Sequence, residues 1–188
     1  MAKLLLVKHA QPQMLPEVNA QRWTLSQAGR ESCGWLAEAF DRVGVRRIYA
    51  SLEPKALETA ALAAAALGLD VRPRAGLGEN DRTGVGFASQ EVHIARFRAF
   101  FDEPANVSMG TESADAAHAR FSAAVRRAVE ESAGETLAVV AHGTVITLLV
   151  SRANGLAPFS LCERLGLPSY VALDPDTLAW DGRLHARP

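Results

Sequence analysis

Two cysteines, Cys33 and Cys162, are all that the 188 residues contain. They lie far apart with no pairing pattern, so neither a disulfide framework nor a zinc site is expected, and a reduced, cytoplasmic setting is the plain reading. Excess charge is missing too: 20 basic against 21 acidic side chains leave a formal net charge of -1. That excludes a general nucleic-acid binder and makes any positive pocket local. No apolar run approaches the roughly 18 residues of a membrane helix. Leu4 to Val7 is too short for a secretory leader, and Lys8-His9 ends it. Lysine is scarce: Lys3, Lys8 and Lys55 stand against 17 arginines. What is present is 48% apolar and 22% charged, the make-up of a globular chain long enough to bury a core without staples.

Short apolar runs alternate with helical patterns. Leu4–Val7 and Thr136–Ala141 read as buried strands, Arg47–Ala50 and Asp70–Arg72 as a second and a third short strand, and Tyr170–Leu173 and Leu178–Trp180 as a closing pair around a turn at Pro175-Asp176. Ser26 is placed as the N-cap of a helix whose Cys33, Leu36, Ala37 and Phe40 share one face, and Gly44 ends it. A second helix opens at Ser51–Pro54, runs through the alanines to Leu67 and closes at Gly68. Further helices are expected near 90–102, 112–132 and from Gly143 to Asn154. This order predicts an α/β fold: a three-layer sandwich with a mostly parallel central sheet flanked by helices. One domain over residues 1–188 is expected, with a short insertion at about 74–110.

In such sheets ligands bind beyond the C-terminal strand ends. His9, Ser51 and His142 each follow a predicted strand and fall there. The helices from Pro54 and Gly143 aim free N–H groups at the same place, with Lys8 and Lys55 beside them. Two imidazoles, two ammonium groups and two helix N-termini suit a phosphate dianion, with a histidine as nucleophile. A lysine in a helix's first turn opposes the dipole. Lys55 therefore calls for an anion, unless it snorkels to solvent.

In order along the chain come Val7-Lys8-His9-Ala10, Leu25-Ser26-Gln27-Ala28-Gly29, Ser51 followed by Lys55-Ala56-Leu57-Glu58-Thr59-Ala60, Leu77-Gly78-Glu79, Gly110-Thr111-Glu112-Ser113, and Val139-Val140-Ala141-His142-Gly143. Together these resemble the histidine phosphatase superfamily, the phosphoglycerate mutase-like proteins, over roughly residues 3–150. The resemblance implies that His9 takes the phosphoryl group and that His142 hydrogen-bonds it. It makes Glu79 the proton donor, with Asp81 as the alternative. It gives Lys8, Lys55 and the helix start at Gly143 the phosphate oxygens. It implies no metal and no cofactor. Its implied function is a metal-independent phosphatase acting on a small phosphorylated metabolite through a phosphohistidine.

The departures are local. Lys8 and Lys55 stand where the family carries arginine, in a chain otherwise rich in arginine. Each swap loses the two-pronged fork. If each also loses one charge-assisted hydrogen bond, about 1.5–3 kcal/mol goes per site, or on the order of 10² to 10⁴ in rate for both. Ala10 replaces a glycine, and Pro12 offers neither hydroxyl nor N–H. A weakened member that binds a phosphorylated ligand or phosphoprotein is therefore the alternative. A cofactor-dependent phosphoglycerate mutase is a third reading, since Arg82, Arg96 and Arg98 in the short insertion could meet a second anionic group. The expected partner is a phosphorylated small molecule, with no nucleic acid and no membrane.

Overall fold

The computed structural model describes residues 1–86 and 89–187, the side chains of Gln90 and His93 excepted. Six strands form one sheet: β1 (Leu4–Lys8), β2 (Arg47–Ala50), β3 (Val71–Pro73), β4 (Leu137–Ala141), β5 (Ser169–Leu173) and β6 (Trp180–Ala186). Their order is β3-β2-β4-β1-β5-β6, with β3, β2, β4 and β1 mutually parallel and β5 antiparallel to both β1 and β6. The predicted α/β sandwich is what forms.

Side-chain alternation makes the layers. Leu5, Val7, Ile48, Ala50, Ala138 and Val140 point to one face, where α1 (Gln27–Val43) and α2 (Pro54–Ala65) cover them. Leu4, Leu6, Tyr49, Leu137, Val139 and Ala141 point to the other. There they meet α4 (Ala114–Glu131), α5 (Gly143–Asn154) and α6 (Pro158–Arg164), with α3 (Gln90–Asp102) adding Phe100 and Phe101. Because the central strands are buried on both faces, they read as continuous apolar runs.

The helix boundaries follow local chemistry. Ser26 and Ser113 accept the Gly29 and Ala116 N–H groups as N-caps, and Gly44 and Gly155 end α1 and α5 in the left-handed region. Gly29 is needed for packing. A Cβ there would lie 2.1 Å from the Gln11 carbonyl oxygen, so α1 could not lie against the loop after β1.

The largest differences from expectation lie toward the C-terminal end. The last strand begins at Trp180 and runs to Ala186, not Leu178–Trp180. Asp174 Oδ1 accepts from the N–H groups of Asp176 and Thr177 and from the Thr177 hydroxyl, which lengthens the turn and puts Leu178 at positive φ. His185 consequently lies in β6, stacked on Tyr170 at 4.5 Å. The seven-residue α6 was not foreseen. It buries Leu161 alone, too little pattern to recognise. No helix among the described residues is long and apolar enough to cross a membrane.

Candidate active site

The chain leaves β1 toward β2 on one side and leaves β4 toward β5 on the other. A crevice therefore opens at the C-terminal ends of these neighbours. Lys8 is level with Ala141 in the β1–β4 register, so the next residues, His9 and His142, face each other. Their ring centroids are 5.2 Å apart, edge to face. Ser51, one residue beyond β2, adds its hydroxyl 2.8 Å from His142 Nε2.

His9 Nδ1 lies 2.7 Å from the Ala10 carbonyl oxygen. A carbonyl can only accept, so Nδ1 carries the proton and Nε2 keeps a lone pair. Burial, followed by the fields of Lys55, Lys8 and Arg82, pushes the His9 pKa down to about 3, although the Ala10 bond pulls it the other way. The ring is neutral across the physiological range. His142 is fully buried, and burial with the neighbouring His9 and cations also drives its pKa well below the ordinary value. Its Nδ1 is sealed from solvent and has no hydrogen-bond partner among the described residues.

Both lysines point inward. Lys55 is only 6% exposed and does not snorkel. Its Nζ donates to the Ala20 carbonyl at 2.7 Å and pairs with Glu53 Oε2 at 2.6 Å. Lys8 Nζ donates to the Leu165 carbonyl at 2.8 Å, just past α6. Burial lowers the Lys8 pKa, partly offset by the Cys162 and Glu79 fields. Gly143 passes under the Lys8 stem, where a Cβ would come within 3.2 Å of Lys8 Cε.

Glu79 reaches the start of α5, where its Oε2 accepts the Thr144 N–H at 3.1 Å and its Oε1 the Val145 N–H at 3.3 Å. Arg82 joins it at 3.4 Å and donates to the Thr144 hydroxyl and to Asn80. The helix start expected to receive an anion thus holds a carboxylate. Asp81, the alternative donor, is placed otherwise. Its carboxylate accepts from the Thr83 and Thr111 hydroxyls and the Thr83 N–H, and these bonds hold its pKa below the usual range. That disfavours it as an acid.

Two site residues escaped the sequence. Glu53, whose side chain is 11% exposed, accepts the Glu79 N–H through Oε1 at 2.8 Å and lies 3.4 Å from His142 Nε2. The available signal was Lys55 itself, since a buried cation in a first turn invites a neighbouring acid. Arg120, on α4, donates all five N–H groups, to Glu112 Oε1 and Oε2 and to the Gly76, Gly78 and Glu79 carbonyls. It clamps the Glu79 loop from 41 residues away, and no local pattern announces that. Glu112 of the fifth motif is its partner, and Ser113 the cap of α4. Beside the histidines, a cavity of about 520 Å³ is lined by Ser51, Glu53, Glu79, Asp81, Arg74 and Arg120 among others. Arg82 belongs to the site, whereas Arg98 lies over the Phe159 ring at 3.9 Å.

A family model for the histidine phosphatase superfamily, branch 1, matches residues 4–177. Phosphoglycerate mutase-like protein 4 of Arabidopsis thaliana is 29% identical over 164 residues, covering 81% of this chain and 71% of that protein. Among solved structures, a mycobacterial glucosyl-3-phosphoglycerate phosphatase superposes with a TM-score of 0.75 at 22% identity, over 97% of this chain and 96% of the other. Phosphoserine phosphatase of Entamoeba histolytica, in complex with 3-phosphoglyceric acid, gives 0.73 at 17% identity, over 100% and 98%. At these identities the two structures speak for the fold alone.

Proposed function

Because this chain belongs to the histidine phosphatase superfamily, we propose that it hydrolyses phosphomonoesters of a small metabolite through a phosphohistidine at His9, without a metal ion. The observation that carries this reading is the His9 imidazole: neutral, buried, held by Nδ1 so that Nε2 keeps its lone pair, and near enough to Lys55, Lys8 and Arg82 to feel their fields. In the first half-reaction the phosphoryl oxygens displace Glu79 from the α5 N–H groups that it occupies in the free chain, and Glu79 takes up a proton; Nε2 then attacks phosphorus as the ester P–O bond breaks, and the leaving oxygen takes that proton from the Glu79 carboxyl. In the second, water attacks phosphorus, the N–P bond returns its electron pair to Nε2, and Glu79 takes the proton that water gives up. Lys8, Lys55, His142 and the α5 start at Gly143 hold the phosphoryl oxygens. Support for an anion there comes from the Glu79 carboxylate already seated on the α5 N–H groups.

Wild type and His9→Ala, assayed side by side with chelator against p-nitrophenyl phosphate and 3-phosphoglycerate, test this. Release by the wild type alone, with an acid-labile phospho-enzyme, is the expected result. Full activity in His9→Ala would sink the assignment. One observation favours a second reading, a phospho-ligand binder: both lysines already give hydrogen bonds to protein acceptors. On that reading phosphate binds and nothing turns over.

A further inference from the structure

We infer that Glu53 is a specificity-determining residue, a built-in carboxylate that competes with the incoming phosphoryl group for Lys55. The inference rests on the phosphoryl-transfer reading of the site. Glu53 is the N-cap residue of α2 but makes no side-chain cap there. It turns inward, and its carboxylate meets three parts of the site: Lys55 Nζ at 2.6 Å, the Glu79 N–H at 2.8 Å and His142 Nε2 at 3.4 Å. Ser51 Oγ accepts its backbone N–H, and the Arg120 guanidinium acts on it electrostatically from α4. Gly78 makes the approach possible, since a Cβ there would lie 3.3 Å from Glu53 Oε1.

An ammonium has three N–H donors. Lys55 gives one to Ala20 and one to Glu53, which leaves one for a ligand. A phosphate oxygen reaching Lys55 must share it with a carboxylate of its own sign. Inorganic phosphate, the product, is therefore held weakly and leaves readily. A substrate must supply compensating contacts from its leaving group in the adjoining cavity.

The test is inorganic phosphate affinity, by calorimetry and by competitive inhibition of p-nitrophenyl phosphate hydrolysis, in wild type, Glu53→Gln and Glu53→Leu. Glu53→Gln keeps an acceptor for the Glu79 N–H and removes the charge. Both variants are expected to bind phosphate about tenfold more tightly, a gain that a damaged pocket does not produce. Equal or weaker binding in Glu53→Gln with an unchanged unfolding midpoint overturns the inference. If Glu53→Gln does not fold, Glu53→Asp, which withdraws the carboxylate by one methylene, is measured in its place and must show the same direction. Absence of turnover by wild type would count against the phosphatase reading alone, because the binding comparison needs no turnover.

Discussion

His9 and His142 stand one residue past neighbouring parallel strands, and the β1–β4 register alone makes them face each other. Glu79 stands on a loop whose place depends on side chains: Arg120 gripping three carbonyls, Glu112 gripping Arg120, and Glu53 accepting the Glu79 N–H. One wall of the crevice is made of backbone ladders at the sheet centre, the other of charged hydrogen bonds at its rim. On the proposed roles, the His9 wall is expected to tolerate change in surface charge, and the Glu79 wall to fail when a single distant guanidinium is lost.

Loss of the proposed proton donor should have the largest effect. Glu79→Gln should lower kcat by about 10² to 10⁴ in steady-state hydrolysis of an ester with a poor leaving group, while Asp81→Asn loses less than about tenfold. The reverse ranking would move the proton donor to Asp81. Next comes the clamp. Arg120→Ala should cost about 1–3 kcal/mol in denaturant unfolding and slow turnover without preventing phosphate from binding at the histidine wall. Arg120→Lys, with three donors for five positions, should not restore the rate. If Arg120→Ala turns over normally, the loop is held by something else. Gly29→Ala strikes the other wall by packing alone. Its Cβ meets the Gln11 carbonyl, and a stability loss of about 1–3 kcal/mol is expected in thermal unfolding.

The gentlest probe is pH. The His9 pKa falls from 6.5 to about 3 on folding, burial being the main cause. Between those values the unfolded chain binds a proton that the native chain refuses. The His9 contribution is therefore complete above pH 6.5 and is lost as pH falls toward 3, by up to about 1.4 kcal/mol per unit. His9→Ala should flatten that slope in a pH series of unfolding midpoints. The kcat/KM profile should carry no acidic limb near 6.5 from the nucleophile, and a limb there would mean that His9 titrates normally.

Much of this was legible before any coordinates. Buried parallel strands betray themselves as apolar runs, and residues directly after them must line the crevice, so His9, Ser51 and His142 could be placed from order alone. Lys8 and Lys55 followed, being adjacent to strand and helix ends. Glu79 was reachable only through the motif it shares with a known family, because a Gly-rich loop has no periodicity. Its contacts at the α5 start were not foreseen. Glu53 and Arg120 stayed hidden. Glu53 lay unmarked within the Ser51–Pro54 helix opening, and Arg120 was one of 17 arginines.

By itself the amino-acid order determined the sheet, the covering helices and the histidine pair, since hydrophobic period, caps and strand ends are local properties of the chain. Only the tertiary structure decided which charge meets which. It put Glu53 under the Glu79 N–H, Glu79 on the start of α5 and Arg120 under the loop. Coulombic and hydrogen-bond partners are chosen by distance in space, and across 26, 41 or 65 residues of chain that distance exists only once the fold has closed.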